Sequence, residues 1–408
     1  MKRYETYKDS GIQWWEEIPT HWDLKKAKHI FSLVTENVSD SSLPKIALEN
    51  IESWTGKYIE TDSDFMGEGV EFKKDDILFG KLRPYLAKVY KAEFAGQAVG
   101  DIYVFRGNEE QNPEYLKYLL LSYPFISVVD GSTYGAKMPR ANWDFISHLV
   151  LPCPPKTEQV TIAAYLDHKV SQIDATIAEK EQMLEDLKAY RSAIISEAVT
   201  KGLDKNVEMK DSGIDKFPMI RSNWNTSKLK YIASIRSGSA LPINNIKKDA
   251  LYEVYGGNGC MGRADEYNTE SPAIIIGRVG ALCGNVHLIK TKKWVTDNAL
   301  ILNIKRDVTY EYLYYYLTAY DLNTLNSSNA QPLITGTKVL DVVTPMPSLN
   351  EQIMIANYLD DKTSMIDETI DQITVQIVEL KSYKSSLITE AVTGKIDLRD
   401  WKPKEENV

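Results

Sequence analysis

Apolar residues recur at seven-residue intervals through two long stretches of the chain. Leu359, Ile366, Ile373, Leu380 and Leu387 keep strict heptad spacing, and Ile370 and Ile377 widen the stripe. Leu166, Ile173, Leu187 and Ile194 keep the same spacing, with Lys180 as one charged interruption. Sustained heptads with charged flanks predict coiled-coil helices. Residues 158–200 contain no Gly or Pro, so the first predicted helix is roughly 60 Å long at about 1.5 Å per residue. The alternative, an amphipathic helix on a globular core, is rarely so long. Each seam is most cheaply buried against the other. The nine apolar residues at seven-residue spacing are therefore the candidate helix-pairing positions.

The two stretches are copies. Residues 152–200 return as 345–393, shifted by 193, with 24 of 49 positions identical. The pairing runs through Glu158/Glu351, Tyr165/Tyr358, Leu166/Leu359, Asp167/Asp360 and Asp174/Asp367. A second echo opens each half: Lys8-Asp9-Ser10-Gly11-Ile12 returns as Lys210-Asp211-Ser212-Gly213-Ile214, and Trp22 as Trp224, at an offset of 202. The segments between the echoes differ in length and largely in sequence. Two units of about 200 residues each suffice to fold as domains, which excludes a short-period solenoid.

Prolines precede both helices, Pro152, Pro154 and Pro155 in one copy and Pro345 and Pro347 in the other. They favour an extended approach. Lys201-Gly202 and Gly394-Lys395 mark the helix exits. The variable segments read as α+β. Strand-like runs occur at 76–79, 101–105, 273–276 and 299–302, and helical patches at 113–122 and 309–318. A faint repeat persists there: a strand, then Gly80-Lys81 or Gly277-Arg278, then Asp101 or Asp297.

Composition adds exclusions. The chain of 408 residues is 43% hydrophobic and 26% charged, as expected of a soluble protein of two or more domains. Met1-Lys2-Arg3-Tyr4-Glu5 lacks the apolar core of a signal peptide, and no run of eighteen apolar residues exists, so the cytoplasm is the expected location. Cys153, Cys260 and Cys283 are too scattered for a disulfide framework. The net charge of −9 argues against a polyanionic partner, but residues 201–350 carry 18 basic and 14 acidic groups. Any nucleic-acid surface must be local. No GxxxxGK[ST], GxGxxG after a strand, HExxH or paired CxxC is present, and His21, His29, His148, His168 and His287 are dispersed. Nor is there an Asn-Pro-Pro-Tyr loop of the kind that receives a flipped base. Catalysis and a metal site are not expected.

Basic and amide side chains on Gly-rich loops remain. In the first variable segment these are Lys81, Arg83, Tyr85 and Lys88, then Tyr134, Lys137 and Arg140. In the second they are Asn258, Arg278, Asn329 and Gln331, with Lys338 beyond. Arg pairs bidentately with guanine and Asn or Gln with adenine, while Lys mostly holds phosphate. Each loop alone is more often just a solvated turn; only recurrence near matching places in both halves shifts the balance towards DNA.

The whole chain resembles the specificity subunit of type I restriction-modification systems, the HsdS family. The resemblance rests on the duplicated EQ…YLD…K…ID helix, the repeated KDSGI openings followed by Trp22 and Trp224, and LFGKLRPYLAKV, YGGNG, GRVGALCGNV and WVTDNALIL. It implies an α+β fold of two pseudo-repeated target-recognition domains separated by two long conserved helices that pair as an antiparallel coiled coil. The expected boundaries are 1–150 and 204–343 for these domains, 151–203 and 344–396 for the helical spacers, and 397–408 for a tail. Each domain would read one half of a bipartite asymmetric site in double-stranded DNA. The helices would set the spacer and dock two methyltransferase subunits. S-adenosylmethionine, ATP and Mg would belong to these and to two restriction subunits, leaving this subunit without cofactor or catalysis. A coiled-coil adaptor without DNA and a stand-alone DNA enzyme are the rival readings.

Overall fold

A computed structural model gives the structure of residues 2–38, 42–61, 67–133, 137–204, 206–280, 282–326 and 332–403. The chain divides into two compact units, Met1–Glu181 with Val375–Val408, and Gln182–Thr374. The two long helices are Lys156–Lys201 and Leu349–Val392, so each starts in one unit and finishes in the other.

The first unit is built on an antiparallel sheet of four strands in the order Phe31–Val34, Ile102–Gly107, Ile77–Gly80, Val89–Lys91. A second sheet orders Asn37–Val38, Gly69–Phe72, Gly96–Ala98 and Lys45–Ile46. The second unit repeats the first sheet as Ala233–Ser237, Ala299–Ile304, Ala273–Gly277, Val286–Ile289. Beside it stands a sheet of Gly259–Ala264, Tyr252–Gly256 and Trp294–Val295.

The unbroken apolar run of Ala273–Gly277 follows from burial on both faces, and alternation decides which side chain goes where. Ile274, Ile276, Leu300 and Leu302 join Tyr312 and Tyr316 of the helix Tyr310–Tyr320 in one core. Ala273, Ile275, Ala299 and Ile301 face the other way, with Val295 and Tyr255. Each such Ile or Leu contributes about 1.5–3 kcal/mol on burial. The helices Pro113–Leu121 and Tyr310–Tyr320 start at Asn112 and Thr309, whose side chains accept the backbone N–H of Tyr115 and Tyr312.

On each long helix the inward positions alternate by four and three. The first presents Leu166, Val170, Ile173, Ile177, Lys180, Leu184, Leu187, Arg191, Ile194 and Ala198; the second presents the residues 193 further on, Leu359 to Ala391. This is the 3.5-residue period of a coiled-coil seam. Within the first unit Asp174 meets Lys384 at 2.7 Å and Lys180 meets Gln376 at 2.7 Å, so the helices run antiparallel there. Within the second, Arg191 grips Asp367 at 2.8 and 3.1 Å, and Leu187, Ile194, Leu359 and Ile366 share one core. Gly202 and Gly394 follow the helices with φ of 81° and 74°, the left-handed exit that suits glycine. Among the described residues no helix is long and apolar enough to cross a membrane.

Candidate nucleic-acid interface

Both units carry the same backbone clamp at the end of one central strand. In the first, the Lys81 N–H donates to the Asp101 carbonyl at 2.9 Å, and the Lys81 carbonyl accepts the Ala141 N–H at 2.8 Å. Arg83 N–H donates to the Pro139 carbonyl at 2.8 Å, and Leu82 bridges to Arg140. In the second, Arg278 N–H donates to the Asn298 carbonyl at 3.0 Å, and the Arg278 carbonyl accepts the Ile334 N–H at 2.9 Å. Gly280 N–H donates to the Pro332 carbonyl at 3.2 Å, and Val279 bridges to Leu333. Residue for residue, Lys81 matches Arg278, Asp101 matches Asn298 and Arg140 matches Leu333. The sequence pairing of Asp101 with Asp297 is corrected by one residue, because the strand register, Ile102 opposite Gly80 and Ala299 opposite Gly277, places Asn298 there. The second strand ends in glycine for lack of room: a Cβ on Gly277 would lie 2.2 Å from the Gly257 carbonyl oxygen.

The side chains on this shared frame differ. Arg140 donates from Nε and Nη2 to the two Asp101 carboxylate oxygens, each at 3.0 Å, and this pairing raises the guanidinium pKa above its ordinary value. The Lys81 ammonium lies 3.8 Å from the same carboxylate and 5.2 Å above the Tyr103 ring. Among the described residues Arg278 meets no carboxylate: Nη1 approaches the Ser237 hydroxyl at 3.4 Å, and its buried Nε has no acceptor there. The exposed turn residue Asn258 follows Gly257, whose Cβ position is 2.8 Å from the Asn298 carbonyl oxygen, so the hairpin tip and Arg278 share one place.

The remaining candidates separate. Arg83 and Lys137 are exposed, with no side-chain partner among the described residues, and Tyr85 is 46% exposed. Arg83 holds a left-handed φ of 51° at the start of the turn. Lys88 is turned into the domain instead. Its ammonium donates to the carbonyls of Leu48 at 2.6 Å and Ile51 at 2.7 Å, and burial pushes its pKa down. The Lys338 ammonium donates to the Leu325 carbonyl at 2.9 Å. Tyr134, Asn329 and Gln331 lie outside the described residues. Sequence reading missed Asp101 as an organiser, Asn298, Ser237, and Trp54, whose indole N–H donates to the Tyr85 carbonyl at 3.1 Å. An Asp or Asn just before a buried strand was the available signal for the first two.

The repeated EQ…YLD residues fasten each domain to its helix. The Glu158 carboxylate accepts from the Tyr4 hydroxyl and Trp22 indole, both at 3.0 Å, and meets His21 Nε2 at 2.6 Å. Glu351 instead takes the Trp224 indole at 3.4 Å, Ser348 at 2.8 Å and Arg221 at 3.5 Å. The side-chain oxygens of Gln159 and Gln352 accept the backbone N–H of Asn112 and Thr309, both at 2.8 Å. The Tyr118 hydroxyl donates to Asp167 at 2.8 Å and that of Tyr315 to Asp360 at 2.6 Å. Nothing in this set addresses a ligand. Among the described residues no group of three or more His, Cys, Asp or Glu is placed to hold a metal ion.

The family model of the type I restriction modification DNA specificity domain matches residues 29–188 and again 221–379. The chain belongs to this specificity-domain family. Its duplicated frame is thus the family's domain present twice. The type I restriction enzyme EcoprrI specificity subunit of Escherichia coli is 32% identical over 162 residues, covering 39% of this chain and 38% of that subunit, less than half of its length. The EcoBI specificity subunit, also of Escherichia coli, is 21% identical over 361 residues, covering 81% of this chain and 75% of the relative. A solved chain from a study of complex assembly and conformational transition of the type I R-M system has a TM-score of 0.73 at 16% identity. It covers 93% of this chain and 99% of that one, a likeness of fold.

Proposed function

We propose that this family member is the DNA-reading specificity subunit of a type I restriction-modification complex and performs no chemistry itself. Each unit reads one half of a bipartite asymmetric site in double-stranded DNA. The observation that carries this reading is the clamp built identically in both units with unlike side chains on it, Lys81, Asp101 and Arg140 against Arg278, Asn298 and Leu333. A constant frame fixes where a reading side chain stands, and its identity decides which base edge it suits. Exposed cations such as Arg83 and Lys137 supply sequence-independent attraction to phosphate. The long helices join the two readers and dock two methyltransferase subunits, which bring S-adenosylmethionine. Two restriction subunits bring ATP and Mg, and the complex works in the cytoplasm.

Exchanging residues 25–150 for the matching segment of another family member tests the modular part. Methylome sequencing of cells carrying the exchanged chain and its methyltransferase partner is expected to show one half of the recognised site changed and the other kept. Change in both halves rejects independent reading. DNA affinity that does not fall as salt rises rejects DNA as the ligand and favours the adaptor reading.

A further inference from the structure

Arg140 is pinned along one edge only. Nε donates to one Asp101 oxygen and Nη2 to the other, which occupies the side edge of the planar fork in a bidentate pair. The end edge, formed by Nη1 and the second Nη2 hydrogen, has no partner among the described residues, and the side chain is 49% exposed. Asp101 is itself held, by Lys81 on one side and by the backbone bond from the Lys81 N–H. The Tyr103 hydroxyl donates to the Ala141 carbonyl at 3.1 Å and supports the residue next to Arg140. Two cations and one carboxylate leave the cluster with one net positive charge. An exposed arginine ordinarily loses rotamer freedom when it binds. A guanidinium already fixed by one edge presents the other at a set angle, so less is lost per bond formed.

We propose that Arg140 reads a guanine in the half-site of the first unit through the end edge of its guanidinium, with Asp101 as the positioning residue that sets its orientation. Guanine offers O6 and N7 as two acceptors on one major-groove edge, the pattern that a planar two-donor fork matches. This rests on the DNA-reading proposal above. The second unit has Leu333 in place of Arg140 and Asn298 in place of Asp101 on the same frame, so it holds no counterpart of this device. Its cation on the frame, Arg278, stands at the Lys81 position. The two units therefore read unlike sequences although their backbones match.

The test uses the full chain in complex with its methyltransferase partner. The wild-type methylome first defines the bipartite site. Arg140→Ala is expected to lose discrimination at one G·C pair of the first half by roughly 5- to 150-fold, with the second half kept. Arg140→Lys retains charge and stem but not the fork, and loses discrimination at the same pair. Asp101→Asn loses it there too, by less, and adds nothing to Arg140→Ala in the double variant. A duplex of that site with 7-deazaguanine at the pair lacks the N7 acceptor; it binds the wild-type complex more weakly and leaves the Arg140→Ala complex unaffected. Unchanged base preference in all three single variants, or equal sensitivity of wild type and Arg140→Ala to 7-deazaguanine at every guanine of the first half, makes the Arg140 pair an internal lock and overturns the proposal. A wild-type methylome without a bipartite site rejects the DNA-reading proposal, and this contact falls with it.

Discussion

Lys88 and Arg83 stand on one loop, and their side chains go opposite ways. In sequence both are loop cations beside a tyrosine; in the fold the Lys88 ammonium satisfies the Leu48 and Ile51 carbonyls while the Arg83 guanidinium lies in solvent. Composition made the charges legible but not their direction. That depends on which carbonyls of the turn at Leu48–Asn50 and of Ile51 come within reach of the ammonium, a property of packing distant in sequence. Lys88→Ala is therefore expected to lower the unfolding free energy by about 1–3 kcal/mol, because the Ile51 carbonyl loses its donor and the Leu48 carbonyl keeps only the Ile51 N–H. Site preference at low temperature should remain. Arg83→Ala should leave stability within about 0.5 kcal/mol and flatten the salt dependence of DNA binding by about one unit of log–log slope. Denaturant titration and binding across a salt series separate the two, and a Lys88→Ala chain of wild-type stability would return Lys88 to the candidate DNA contacts.

The helices and strands were the most legible elements, because their periods repeat along the chain whatever the loops do. Heptads predicted both long helices, and the runs at 273–276 and 299–302 lie in strands. Registers between distant segments were less legible. The Asp101 and Asn298 match needs an offset of 197, between the 202 of the openings and the 193 of the helices, because unequal loops shift the alignment within each half. The polar pairs of the seam also depend on antiparallel register. Asp174 with Lys384, and Arg191 with Asp367, are one pair exchanged by the 193-residue shift. Burial pushes the Asp174 carboxyl up, but hydrogen bonds and charge from Lys384 and Lys57 outweigh it and hold the pKa below the ordinary value. A lowered folded pKa stabilises the fold above the unfolded value of about 3.9, and that contribution disappears as pH falls through the folded value. Asp174→Asn should thus cost about 1.5–3 kcal/mol at neutral pH, the range for hydrogen bonds to charged groups. Parallel unfolding curves of both chains at decreasing pH should converge below about pH 4. A gap that stays constant into strong acid would assign the loss to packing.

At the scale of the molecule, neither unit is one half of the linear repeat. The unit that opens the chain is completed by Val375–Val408, and the Tyr115 hydroxyl there donates to the Val392 carbonyl as that of Tyr312 does to Val199 in the other unit. Sequence could not reveal this exchange, because the two helix ends it involves are nearly identical, Glu197-Ala198-Val199-Thr200 and Glu390-Ala391-Val392-Thr393. Each long helix therefore links the two units, which makes helix length a candidate determinant of the unspecified spacer in the DNA site. Duplicating Glu181 to Leu187 in the first helix and Thr374 to Leu380 in the second adds one heptad to each. The four-three alternation continues through both insertions, so the seams keep their facing. Each helix grows by roughly 10 Å at about 1.5 Å per residue. Stacked base pairs rise about 3.4 Å, so the spacer should lengthen by up to roughly three base pairs, and by fewer if the helices run oblique to the duplex. The half-sites should stay as they are, because neither clamp is touched. Methylome sequencing of the lengthened chain with its methyltransferase partner decides the matter: an active complex that still methylates sites with the original spacer would show that the helices join the readers without setting their distance.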